Sequence, residues 1–111
     1  MKELRTDVVE NMCGGKGHVI IKHILEEDVL KDKCRLYAQV TIEPDCSLGY
    51  HEHHGESETY YILSGKGLYD NNGCKKTVTA GDVTVTPDGM GHALENAGDT
   101  DLVFMALIIK D

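Results

Sequence analysis

Between positions 36 and 42 the chain alternates: Leu36, Ala38, Val40 and Ile42 are apolar, and Tyr37, Gln39 and Thr41 intervene. A two-residue period puts every second side chain on one face, so this stretch reads as a strand with one buried side, ended by Pro44. Residues 18–25 form a β-branched run behind Gly14-Gly15-Lys16-Gly17. Residues 51–54 start another element, and 58–63 read as strand again, stopped by Ser64-Gly65-Lys66-Gly67. Residues 77–79, 83–86, 93–96 and 102–109 supply further strands. They are separated by Ala80-Gly81-Asp82, Pro87-Asp88-Gly89 and Gly98-Asp99. Asn71-Asn72-Gly73 is a hairpin signal, since Asn-Gly tolerates the positive φ of tight turns. The last run, LVFMALII, is apolar at every position, as in a strand packed on both faces. The one helix candidate, 26–32, is short and highly charged. Short strands with turn chemistry between them, and no repeat, low-complexity tract or linker, predict an all-β sandwich or barrel forming one domain over 1–111.

Composition narrows the function. Hydrophobic residues make up 41% and charged residues 27%, which excludes wholesale disorder. Lys and Arg number 11 against 19 Asp and Glu, a net charge of −8 that argues against nucleic acid and anionic membrane surfaces as partners. No stretch approaches the roughly 18 apolar residues of a membrane span. The opening MKELRTDVVENM lacks the basic-then-apolar layout of a secretory signal, so a cytoplasmic location is expected. Cys13, Cys34, Cys46 and Cys74 are too far apart for a C-x-x-C motif and read as reduced thiols. With no Trp and with Phe104 the only Phe, the core must be mainly aliphatic.

The histidines carry the chemistry. Four of six fall at His51, His53, His54 and His92. In an extended segment His51 and His53 point to one face and His54 away from it. Glu58 opens the next strand, with Tyr60 on the same face. Two imidazoles and a carboxylate converging on one point suit a divalent first-row metal, and His92, behind the 87–91 loop, completes a four-ligand set. Imidazole with carboxylate favours Mn, Fe, Co, Ni or Zn over Ca or Mg. His54 is an alternative ligand, because the spacing from His54 to Glu58 is also acceptable. His18 and His23 read as ordinary strand residues. Residues 13–17 lack the G-K-[ST] of a phosphate loop and read as a turn.

The run 51–65 resembles the first motif of the cupin superfamily, H-x-H-x(3,4)-E-x6-G, with His51, His53, Glu58 and Gly65 at its fixed positions. The second motif, G-x5-P-x-G-x2-H-x3-N, is matched by Gly81, Pro87, Gly89, His92 and Asn96. One departure concerns the leading glycine of the first motif, whose place is taken by Asp45; this bears on a local turn. Together the motifs span about 45–65 and 81–96. The resemblance implies a double-stranded β-helix (jelly-roll) barrel, small like single-domain bacterial cupins, with a metal inside held by His51, His53, Glu58 and His92. Gly81, Gly89 and Pro87 then shape the turns, and Asn96 ties backbone together. It also implies a homodimer, for which the 19–25 and 102–109 strands offer apolar pairing surface.

Four protein ligands on a six-coordinate ion leave about two positions open. Three neutral imidazoles and one carboxylate leave a divalent ion near +1, which favours small anionic ligands. Because cupins include dioxygenases, decarboxylases and isomerases, the resemblance implies metal-dependent catalysis of one of these types on a small anionic or oxygenated substrate. The alternatives are a non-catalytic metal-dependent binding or sensing module, and a purely structural metal. No catalytic residue is assigned. Neither Arg5 nor Arg35 lies in a motif, so a guanidinium clamp for a dicarboxylate is not evident, which weakens an oxalate-decarboxylase-like reading.

Overall fold

Ten strands pair into two antiparallel sheets whose inward faces share one core. The structure, a computed structural model, describes residues 3–111; Met1 and Lys2, which open the stretch read for a secretory layout, lie outside the described residues. The strands are β1 (Thr6–Glu10), β2 (His18–His23), β3 (Cys34–Ile42), β4 (Ser47–Glu52), β5 (Glu56–Ser64), β6 (Lys66–Asn71), β7 (Cys74–Thr79), β8 (Val83–Thr86), β9 (Gly91–Asn96) and β10 (Leu102–Lys110). One sheet runs β1-β2-β3-β10-β5-β8 and the other β4-β9-β6-β7. This is the jelly-roll barrel expected of the sequence. Val19, Val40, Ile62 and Phe104 of the larger sheet meet Leu48, Tyr69, Val78 and Leu94 of the smaller, all nearly excluded from solvent. No helix among the described residues is long and apolar enough to cross a membrane.

Several expectations hold in detail. Asn72 (φ 50°) and Gly73 (φ 98°) close the β6–β7 hairpin, pairing Asn71 with Cys74. The charged 26–32 stretch makes a single helical turn, α1 (Glu27–Leu30). Asp45 takes φ 67°, so a short polar side chain adopts the left-handed conformation that a glycine would take there. Asn96 ties three main-chain groups, donating from Nδ2 to the carbonyls of Ile42 (2.8 Å) and Thr100 (2.7 Å) and accepting from the Gly98 amide (2.8 Å).

Two expectations are corrected, and one strand was not expected. The stop at 64–67 is only a turn at Gly65, whose φ is 91° and whose missing side chain lets the Asp101 carbonyl approach. Gly67 is already in β6, and a methyl group there would stand 2.8 Å from Leu94 and 2.9 Å from Leu102, so it serves core packing. β1, paired with β2, turns only a half-covered face inward: Val9 packs against the core beside the polar Asp7, while Val8 on the other face is 60% exposed, so the apolar positions show no clean period. β10 is buried on one face only. Leu102, Phe104, Ala106 and Ile108 point inward, while Val103, Met105 and Leu107 are half-covered.

The segment between β1 and β2 lies against β4. Asn11 (φ 49°) and Cys13 (φ 54°) are left-handed, and the Lys16 amide donates to Ser47 Oγ at 2.9 Å. A methyl on Gly15 would stand 2.1 Å from the Ser47 carbonyl oxygen, and one on Gly49 equally close to that of Cys13. Main chain therefore packs directly on main chain, and Met12 is directed inward.

Asn96→Ala removes a buried donor from the Ile42 carbonyl along with two further bonds, so we expect it to destabilise the fold by roughly 2 kcal/mol. Urea unfolding with an unchanged midpoint would show that the barrel does not need this side chain.

Candidate metal centre

Two of the smaller sheet's strands and one of the larger's deliver three of the four candidate ligands, and the turn after β4 delivers the fourth. β4 and β9 pair with His51 directly opposite His92, after a register shift between Leu48 and His51. Glu58 enters from β5, held opposite Thr86 of β8 and Ile108 of β10. His53 is not in a strand, because β4 ends at Glu52. Its amide donates to the Met90 carbonyl (3.0 Å) and its carbonyl accepts from the Gly89 amide (2.7 Å). The 87–91 loop thus aims His53 inward where strand alternation has stopped.

The predicted set converges. One donor atom from each of His51, His53, Glu58 and His92 lies within 4.8 Å of all the others. His92 Nε2 stands 3.0 Å from His51 Nε2, 3.1 Å from His53 Nε2 and 2.9 Å from Glu58 Oε1. Glu58 Oε1 is 3.0 Å from His53 Nε2 and 3.7 Å from His51 Nε2. Ligands at right angles on an ion with bonds of about 2.1 Å stand about 3.0 Å apart, and tetrahedral corners about 3.4 Å apart. These separations match metal-ligand edges. They do not match a satisfied hydrogen-bond network, since one ring nitrogen carries at most one proton and cannot bridge three neighbours.

Each imidazole is anchored through its other nitrogen. His51 Nδ1 donates to the Gly49 carbonyl (2.9 Å), His53 Nδ1 to Glu56 Oε2 (2.6 Å), and His92 Nδ1 meets Thr86 Oγ1 (2.8 Å) and the Tyr69 hydroxyl (3.0 Å). A proton on every Nδ1 leaves every Nε2 lone pair facing the centre, the arrangement that metal-binding histidines use. The residues therefore fit a divalent metal ion, and the donor chemistry leaves its identity open. His54 lies outside this cluster. Its side chain is 72% exposed and faces Glu52 at 3.3 Å.

Electrostatics fit the same picture. With no cation at the centre, burial pushes the Glu58 carboxyl up, but the protonated forms of the His51, His92 and His53 rings beside it outweigh this and hold the group at about 2, a carboxylate charge that a metal ion would take over. Burial lowers His51, yet its contacts with Glu58 and the Gly49 carbonyl leave it raised; at His92 burial prevails and favours the neutral ring. Tyr60, fully buried and stacked on the His92 ring (centroids 4.8 Å apart), is held well above the ordinary phenol range by burial and the Glu58 charge, so it keeps its proton. Beside His51 and Glu58 a cavity of about 40 Å³ is walled by hydrocarbon, including Met12, Ile21, Val40 and Phe104. It has room for a few water-sized groups.

Sequence reading missed the anchoring residues. Thr86 was legible in principle, since alternation in 83–86 turns Thr84 and Thr86 inward together. Glu56 and Tyr69 gave no such signal, because both lie where strand was not expected. His18 and His23 take ordinary surface roles, pairing with Glu43 and Asp7.

Barrel and donor set together define a metal-binding cupin. The family model for the cupin domain matches residues 38–108, and the chain belongs to that family. Over 107 residues it is 44% identical to an oxalate-binding protein of Thermotoga maritima, covering 96% of this chain and 88% of that one. It is 30% identical to an oxalate decarboxylase of Bacillus subtilis, covering 97% of this chain but only 34% of that protein. Among solved structures, a predicted oxalate decarboxylase from Thermotoga maritima superposes with a TM-score of 0.94 at 43% identity, covering 98% of this chain and 95% of that one. The cupin domain of Schizosaccharomyces pombe Cnp3, at 14% identity and a TM-score of 0.76 over 84% of this chain and 61% of that one, shares the fold.

We expect His51→Ala, His53→Ala and His92→Ala each to weaken Mn(II) binding by at least tenfold, and His54→Ala to leave it unchanged. Isothermal titration of the metal-free protein measures this; a large loss confined to His54→Ala would move the site.

Proposed function

We propose that His51, His53, Glu58 and His92 hold a divalent transition metal, and that the chain, acting as one cupin domain, uses it to bind oxalate or a dicarboxylate of similar size. The observation that carries this reading is the convergence of four donors, each imidazole turned the same way, beside a cavity of only about 40 Å³. The bound ion would supply a positive centre near +1 that accepts two carboxylate oxygens. The chain's part is to orient and exclude. His51, 20% exposed at the rim, faces the cavity, while Val40, Ile21 and Phe104 keep water from its inner wall. Displacing water from such a surface strengthens the charge interaction at the metal.

Binding without turnover is the reading we favour. Decarboxylation needs a proton donor and benefits from a second cation near the departing carboxylate. Apart from His51 and Glu58, the cavity's only titratable lining group is Tyr60, whose proton is firmly held. Arg5 pairs with Glu26 and Asp7 and Arg35 with Glu56, so neither guanidinium is free to clamp substrate. The similarity to oxalate decarboxylases favours turnover as the second reading. With Mn(II) loaded, we expect saturable oxalate binding by calorimetry, lost on chelation, and no formate or carbon dioxide release. Formate production would establish the enzymatic reading; metal loading without oxalate binding would refute the ligand.

We further propose a homodimer in a reducing, cytoplasmic compartment, in keeping with four free thiols. The outer face of the larger sheet carries Tyr37, Tyr61, Met105 and Leu107 around a shallow groove, with Val83 and Val85 exposed at its edge strand. A second copy covering this apolar face supports the two-fold assembly. Light scattering at micromolar concentration is expected to give the mass of two chains, and a single-chain mass would rule the dimer out.

A further inference from the structure

The three imidazoles are anchored by unequal means. His51 donates to a main-chain carbonyl and His92 meets two hydroxyls, all neutral partners. His53 alone donates to a carboxylate, Glu56, at 2.6 Å. That carboxylate is gripped in turn by Arg35, whose Nε reaches Oε1 and whose Nη2 reaches Oε2, both at 2.7 Å. Arg35 comes from β3 and Glu56 from the start of β5, so the pair joins strands on either side of β10. Glu56 is nearly buried, its side chain 12% exposed, while that of Arg35 is 54% exposed. A charged line therefore runs from the surface through Arg35 and Glu56 to His53.

We propose that Glu56, oriented by Arg35, is a positioning residue for the metal centre: it fixes the ring and proton of His53 and thereby sets how tightly the metal is held. The proposal rests on the metal-binding reading of the four donors. Three physical points support it. A carboxylate accepting the Nδ1 proton fixes the tautomer and makes the opposite nitrogen a better electron donor, an effect worth about 10- to 100-fold in metal affinity. His53 lies outside any strand, so its ring depends on such an anchor more than those of His51 and His92, which sit in paired strands. A two-point guanidinium grip fixes the carboxylate plane, which a single-point lysine contact does not. Strand alternation also places Glu56 and Glu58 on one face of β5, so a single element supplies both a ligand and the support of a neighbouring ligand.

The test is Mn(II) titration of the metal-free full chain, read by calorimetry and by the electron paramagnetic resonance spectrum of the bound ion. Glu56→Gln keeps the size and one acceptor but loses the charge; we expect about 10- to 100-fold weaker binding and a changed spectrum. Arg35→Gln is expected to shift both readouts in the same direction by less. Arg5→Gln breaks another arginine–carboxylate pair, in which the arginine is about as exposed as Arg35 but sits away from the centre, and is expected to change neither. Thermal melts of the metal-free variants separate loss of fold from loss of affinity, and if Glu56→Gln does not fold, Arg35→Gln carries the test. Unaltered affinity and spectrum in Glu56→Gln and Arg35→Gln, with binding abolished in His92→Ala, overturns the positioning role alone. Failure of the unaltered protein to bind Mn(II) overturns the metal reading, and the positioning role with it.

Discussion

Within a nearly solvent-free interior, the Nε2 atom of His92 stands about one hydrogen-bond length from two other ring nitrogens and a carboxylate oxygen. Lone pairs crowded this closely repel one another, and burial denies them the water that would screen the repulsion. A cation at the centre turns the same geometry from a cost into a set of bonds. Strand pairing of β4 with β9, the bulge before His51, the loop that catches His53 and the entry of Glu58 from the opposite sheet all serve to produce this one convergence.

The rest of the interior is arranged around that convergence in two unlike halves. Behind the rings lie polar anchors: the Gly49 carbonyl, the hydroxyls of Thr86 and Tyr69, and Glu56 with its arginine. In front lies hydrocarbon, from Met12 through Ile21 and Val40 to Phe104. A centre backed by fixed dipoles and fronted by a narrow apolar space has its polar contacts on one side only. The proposed binding of a small anion rests on this division, because turnover would ask for acid and cationic groups on the hydrocarbon side.

The four-residue cluster and the jelly-roll barrel were legible because two independent signals coincided. Alternation in 36–42 and in 58–63 identified inward faces, and the spacing of His51, His53, Glu58 and His92 matched chemistry that requires those faces. What remained hidden follows a physical pattern. β1 half-covers only Asp7 and Val9 on its inner side and exposes Val8 on the other, so it leaves no clean hydrophobic period. β6 was obscured by Gly67, which reads as a turn residue but is needed to let Leu94 and Leu102 close in. The outward face of β10 is apolar in sequence yet only half-covered in this chain, since apolar composition does not say what covers a surface. Asp45 shows the reverse case: a departure from the motif at which a short polar side chain takes the left-handed conformation itself.

The segment carrying Met12 hangs from β4 through Gly15 and Gly49, at contacts where neither residue has space for one additional carbon. A side chain at either position would force the two main chains apart, against the bond from the Lys16 amide to Ser47 Oγ. The segment that lines one wall of the cavity and the edge strand beside it are therefore fixed to each other, and neither can change shape alone.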